Sequence, residues 1–279
     1  MPERRFYGVM LVSTGTVLWS LAGLFVRSIA LGVWDLILWR SVFACLCLLA
    51  IGMVRPTSGS IFSWKGSIAA CLSATAMFCY VAALTLTTVA NVLIIYATLP
   101  FVTAVLAWVT AREATSRRLL IASTVSVSGI VVVAGTSPSE SDMAGNLLAL
   151  AMTISFGGLL ILTRRYATLN LVHVNAAGAA MCAIAAWPFS SGQIPSIEAL
   201  LLIILLALLT TALAFVLFLA GGRHVASSEA ALIALLDVIL GPLWVWLAFA
   251  ENPGNGAIVG GLLVIASVAW YFWPSLRQR

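Results

Sequence analysis

Between residues 6 and 273 the chain is a succession of apolar runs. Each is near the ~20 residues that carry a helix across a hydrocarbon core of roughly 30 Å. The runs fall at 6–29, 33–54, 64–84, 90–110, 119–135, 145–163, 174–189, 198–221, 226–249 and 257–273. In lipid a backbone must satisfy its own hydrogen bonds, so runs of this kind are expected to be helices. Hydrophobic residues make up 62% of the chain and charged ones 8%, against roughly 25% charged in a soluble domain. Such an exterior cannot be solvated by water. The net charge of +5 does not indicate a nucleic-acid partner, because its Arg and Lys are scattered at the ends of apolar runs instead of gathered on a soluble scaffold. The first run resembles a signal peptide only in its charged start, Arg4 and Arg5; it is too long and lacks a small-x-small cleavage site. Cys45, Cys47, Cys71, Cys79 and Cys182 are odd in number and lie inside apolar runs, which implies small core residues and no disulfide framework.

The chain is also internally duplicated. Residues 82–113 align without a gap with residues 220–251, placing Ala82 on Ala220, Trp108 on Trp246 and Glu113 on Glu251. Earlier in each half Gly8, Thr16 and Arg27 fall on Gly145, Thr153 and Arg164. A duplication is the economical reading, with repeats at 1–138 and 139–279. With the N-terminus inside, Arg4, Arg5, Arg55, Lys65, Arg112, Arg117, Arg118, Arg164, Arg165, Arg223, Arg277 and Arg279 are cytoplasmic. Only Arg27 and Arg40 are not, a strong positive-inside bias. Both termini are then cytoplasmic. Five helices per repeat is an odd number, so the second repeat enters the membrane from the opposite side.

Inverted repeats are how many secondary transporters are built, with a midplane site that faces each side in turn. The expected fold is therefore an all-α integral membrane protein of ten helices in two inverted five-helix repeats around a central cavity, the two halves rocking about it. A membrane scaffold or assembly protein is the rival of another class. An enzyme is not expected: there is no His-x-x-x-His spacing, Gly-x-Ser-x-Gly elbow or phosphate loop, and no metal or cofactor is called for. His173 and His224 lie beside predicted loops.

Polar and aromatic residues inside the runs are the candidate site. Ser13, Thr16, Ser20, Gly23 and Arg27 recur at three and four residues, forming a stripe that either packs helices closely or leaves room for substrate; Trp19 lies beside it. The matching region of helix 6 holds Thr153, Ser155, Phe156 and Gly157. Asp237, midway along the ninth run, carries an insertion cost of roughly 2.5–3.5 kcal/mol if ionised. A proton, a substrate ammonium or Arg40 could offset it. Glu229 reads as solvated. Phe78, Tyr80, Tyr96, Phe215 and Phe218 supply rings for a flat apolar side chain. On helix 4, Asn91 and Thr98 share one face and Tyr96, Pro100 and Thr103 the other; polarity favours the Asn91 and Thr98 face, with Tyr96 at its edge. Pro100 and Pro242 are candidate bends for gating. Trp34, Trp39, Trp64, Trp187, Trp270 and Trp273 lie near helix ends and belong to the interfacial belt.

Trp19-Ser20, Arg40, the run from Ala82 through Pro100 to Arg112-Glu113, and their second-half counterparts resemble the EamA-type repeat of the drug/metabolite transporter superfamily. Within it the chain is similar to YddG-type aromatic amino acid exporters. The resemblance covers almost the whole chain and implies ten helices, a cavity between the halves and export without ATP. It departs at Asp237, followed by Val238 with Pro242 a turn later, where the family often has Glu followed by Pro. The combined expectation is an exporter of amino acids or related metabolites in a bacterial inner membrane, with membrane lipid around it, no nucleic-acid partner and a monomeric state left open. A broad-specificity efflux carrier for apolar or cationic compounds is the alternative. The expected substrate contacts are Trp19, Ser20, Phe78, Tyr80, Asn91, Tyr96, Thr98, Ser155, Phe156, Phe218 and Asp237.

Overall fold

A computed structural model describes residues 2–54, 63–111, 117–135, 140–166, 169–222, 224, 233–234, 236–251 and 254–277. Arg112, Glu113, Arg223, Glu229 and most of residues 226–235 lie outside the described residues, as does the side chain of Pro100. All regular structure among the described residues is helical: α1 (Pro2–Ser20), α2 (Ala22–Ser28), α3 (Val33–Val54), α4 (Trp64–Leu86), α5 (Val89–Tyr96), α6 (Leu99–Ala111), α7 (Arg117–Gly135), α8 (Glu140–Arg165), α9 (Leu171–Ala186), α10 (Ile197–Leu205), α11 (Ala214–Gly222), α12 (Leu236–Phe249) and α13 (Gly254–Arg277). Among the described residues seven spans are long and apolar enough to cross a membrane, and Leu236–Phe249 is a shorter apolar helix. Helix starts carry the expected caps: Ser63, Thr88, Asn170 and Ser196 accept from backbone N–H groups in the following turn, removing orphan donors. Glu140 and Asp142, between the apolar runs 119–135 and 145–163, form the first turn of α8, where acids complement the positive end of the helix dipole.

Three runs are less regular than expected. The first is broken at Leu21 into α1 and α2. The fourth is broken at Ala97 and Thr98, ahead of Pro100 instead of at it. A proline has no N–H and clashes with the carbonyl four residues back; starting α6 at Leu99 puts it in a first turn, where the missing donor costs nothing. At the break the Ile95 carbonyl accepts both the Thr98 N–H at 3.1 Å and the Thr98 hydroxyl at 2.7 Å. In the eighth run a π-helical segment, Leu206–Leu213, joins α10 to α11.

Packing interleaves the repeats. The most extensive contacts join α4 to α8, α3 to α9, α7 to α13 and α1 to α11, each pairing one helix before residue 138 with one after it. Backbones approach closely at small residues, as expected where lipid removes any hydrophobic drive between helices. A Cβ on Gly221 of α11 would lie 2.7 Å from the Gly8 carbonyl and 2.8 Å from the Val12 nitrogen of α1. One on Gly129 of α7 would meet the Gly260 carbonyl of α13 at 2.7 Å. The sequence halves are thus not spatial halves, and the expected rocking of one against the other has no pair of separate bodies to act on.

Candidate functional site

The apolar bundle contains a cavity of about 150 Å³, a volume at which dry cavities in other proteins take up benzene. Three helices present it with one continuous face each: Ser73, Ala76, Met77 and Tyr80 on α4, Met152, Phe156 and Leu159 on α8, and Arg40 and Leu48 on α3. Spacings of three, four, seven and eight residues keep these side chains in register, and the eight from Arg40 to Leu48 give the cavity a length of about 12 Å along α3. Trp19, Ala22, Leu93, Tyr96, Asn175, Thr210, Thr211, Phe215 and Asp237 complete the wall. Tyr96 and Phe156 stand with ring centroids 6.1 Å apart. Trp19 is backed by Phe218 at 4.7 Å.

Two charged groups reach this space. Arg40 is 5% exposed and Asp237 6%. Among the described residues Asp237 Oδ1 and Arg40 Nη1 are buried with no hydrogen-bond partner, and Tyr80 sits within electrostatic reach of both side chains. The π-helical segment accounts for the surroundings of the arginine. Thr210 returns its hydroxyl to the Leu206 carbonyl at 2.7 Å, whereas Thr211 accepts from Arg40 Nη2 at 3.3 Å. π-Helical turns are found frequently at functional sites.

Of the residues expected in the site, Trp19, Tyr80, Tyr96, Phe156 and Asp237 share the cavity. The others are placed elsewhere. Ser20 accepts from Trp244 Nε1 at 2.9 Å, tying α1 to α12. Phe78 packs on Trp34, which stacks on Phe189, at the bundle end. Asn91 donates to Thr87 Oγ1 at 3.1 Å and Thr98 serves the break before Pro100, so on the fourth run the cavity wall is the Tyr96 face and not the Asn91 and Thr98 face. Ser155 is buried away from the cavity and Phe218 stands behind Trp19. The Pro242 side chain is half-buried within an unbroken α12. Sequence reasoning passed over Ser73, Asn175, Thr210 and Thr211. Their signal was available: Thr210-Thr211 is a polar doublet inside an otherwise apolar run, and Ser73 and Asn175, which hydrogen-bond each other at 2.7 Å, are matched polar residues on two apolar helices.

One end of the bundle is sealed. Val26, Leu36, Ile37, Leu84 and Val89, none more than 5% exposed, fill it beyond Ala22 and Arg40. Over them lies a polar clasp. Glu251 Oε2 is 2.9 Å from Arg27 Nε, in ion contact though off the line of a hydrogen bond, and Oε1 accepts from Arg27 Nη2 and the Val89 N–H, both at 3.3 Å. Arg27 Nη2 also donates to the Thr87 carbonyl at 2.7 Å, and Thr87 Oγ1 donates to Asp142 Oδ1 at 3.0 Å. Ala250, the residue before Glu251, takes a left-handed backbone (φ 53°), a strained choice for a residue with a Cβ. The clasp joins α2, the turn between α4 and α5, the first turn of α8 and the end of α12.

The EamA-like transporter family model matches residues 6–135 and again 143–273. No curated protein matches the chain in sequence. A solved structure described only as "Crystal structure of protein" is similar over 98% of this chain and 98% of its own, with a TM-score of 0.68 at 18% identity, a likeness of fold alone. Two matches that together cover nearly every residue place an all-helical, multi-pass membrane protein with two such repeats: the chain belongs to the EamA-like transporter family and transports small molecules across a membrane, with no enzymatic role.

Proposed function

We propose that the chain is a secondary transporter that exports amino acids, aromatic or apolar ones above all, or related metabolites across a bacterial inner membrane. Ten crossings in two inverted repeats put both termini in the cytoplasm and the clasp of Arg27 and Glu251 outside. The sealed end then faces out and the cavity serves the inner side. The observation that carries the reading is Asp237: a carboxylate with no hydrogen-bond partner among the described residues, inside an apolar bundle, beside aromatic rings, at the cavity wall. A substrate ammonium meets that carboxylate, and its side chain lies against Tyr80, Tyr96 and Phe156. Alternating access moves one group, α3, α4, α8 and α9, against another, α1, α11 and α12, since these pack most closely among themselves. The helix break before Pro100 and the proline of α12 are where the chain bends.

The test is purified protein in proteoliposomes preloaded with aromatic, aliphatic and charged amino acids, with and without a pH gradient. Aromatic and apolar substrates are expected to move. Asp237→Asn is expected to slow them about tenfold or more, the loss of one charge-assisted hydrogen bond. If no amino acid moves in a folded, reconstituted preparation, the reading is wrong. The efflux alternative then takes its place, favoured by Met77 and Met152 in the wall, since flexible thioethers suit permissive surfaces.

A further inference from the structure

We infer that Arg40 is the anchor for an anionic group on the transported molecule, so that the cavity selects substrates bearing a carboxylate. The inference rests on the transport reading above but concerns a different residue and a different half of the substrate. A guanidinium is charged at any physiological pH and offers five donors in a rigid fork. Here that fork is 5% exposed and lies seven residues into α3, about 10 Å from the helix start. Its hydrogen bonding is far below capacity: Nη2 has one 3.3 Å bond to a neutral hydroxyl, and Nη1 has none. Among the described residues no carboxylate is paired with it, whereas Arg27 has Glu251. Removing a cation from water without a counter-charge is among the most expensive arrangements a bundle can hold. A residue kept in that state, its side chain lining a cavity, is complementary to an anion that comes and goes.

The repeat supplies an independent argument. Arg27 has a counterpart in Arg164, but the same offset carries Arg40 onto Ala177, and the offset of the later segments carries Asp237 onto Leu99. Both cavity charges are therefore unmatched in the other repeat. The clasp residues Arg27 and Glu251 fall on Arg164 and Glu113, whereas these two have no charged counterpart. Opposite charges at one wall, with Tyr80 within reach of both, suit a molecule that is itself a dipole. The ring faces in the same cavity discriminate little between acids and amines, so Arg40 carries that distinction.

The experiment is equilibrium binding by intrinsic tryptophan fluorescence on the purified full chain in detergent, using phenylalanine, phenylalaninamide and phenethylamine. These differ in the carboxylate while keeping ring and ammonium. Wild type is expected to bind phenylalanine about tenfold or more tighter than the other two, the weight of a charge-assisted contact. Arg40→Gln is expected to bind all three alike, and Asp237→Asn to keep the preference for the acid over its amide while binding each more weakly. Arg40→Lys, which restores charge without the fork, is expected to recover part of the preference. This separates a lost contact from a damaged fold. Equal binding of acid and amide by wild type, binding of none of the three, or a tenfold preference that survives in Arg40→Gln would overturn the inference. Transport of the same compounds is read separately: a carboxylate preference in binding with no movement in liposomes supports the anchor and sinks the transport reading, whereas movement of all three alike does the reverse.

Discussion

Gly221→Val is expected to leave little correctly folded protein. The new Cβ would stand 2.7 Å from the Gly8 carbonyl oxygen and 2.8 Å from the Val12 nitrogen, distances that real Cβ atoms do not adopt, and both neighbours are backbone of α1. No rotamer change relieves that. Relief requires α1 and α11 to separate, and with them the wall formed by Trp19 and Phe215. Overpacking in a well-filled interior costs about 1–3 kcal/mol, and the valine adds two more methyl groups against the same strand of backbone. The check is size-exclusion recovery and thermal melting in detergent. Gly158→Ala is the matched control: its Cβ would meet only Leu72 methyl groups at 3.5 and 3.6 Å, ordinary contact, and its melting temperature is expected to stay within error. A Gly221→Val protein that melted like wild type would show that α1 and α11 do not hold this separation.

The second large effect is expected from Glu251→Gln. That carboxylate receives Arg27 and the Val89 N–H together, at side-chain exposures of 20% for Glu251 and 28% for Arg27. Its worth lies between the roughly 0.2–1 kcal/mol of an exposed pair and the ~3–5 kcal/mol lost on breaking a buried one. A loss near 1.4 kcal/mol shifts the ratio of sealed to open forms about tenfold. The shift is measured by placing a cysteine at Ala22, in the cavity wall, on a background without the five native cysteines. A membrane-impermeant maleimide is then applied from outside. Labelling is expected to quicken about tenfold in Glu251→Gln, with little more in Arg27→Gln combined with it, because both remove one interaction. An unchanged rate would mean that the apolar layer of Val26, Leu36, Ile37 and Val89 seals that end unaided.

What could be read from the sequence was whatever follows from hydropathy and periodicity. The run at 33–54 coincides with α3, and Asp237, Tyr80 and Phe156 point where a polar or aromatic residue inside an apolar run should point. Rotation about a helix axis was harder. Polarity favours one face of the fourth run, yet Asn91 and Thr98 are spent on the chain itself: Asn91 on Thr87, Thr98 on the Ile95 carbonyl at the helix break. Polarity cannot tell a residue that serves the chain from one that serves a ligand. Thr210 and Thr211 stand out in the sequence as a polar doublet, but the π-helical turn alters the register of side chains along its run, and a period of 3.6 residues does not say which of the two faces the cavity. Arg40 was weighed only as a partner for Asp237, whereas its recorded contact is with Thr211.

The interleaving of the repeats has a consequence for their origin. Each of the closest helix pairings joins a helix from before residue 138 to one from after it, so a single repeat made on its own would present most of its packing faces to lipid. A single repeat is therefore expected to be stable only against a second copy of itself. Carrying both in one chain keeps those faces covered and leaves each copy free to differ, as at Arg40 opposite Ala177 and Asp237 opposite Leu99.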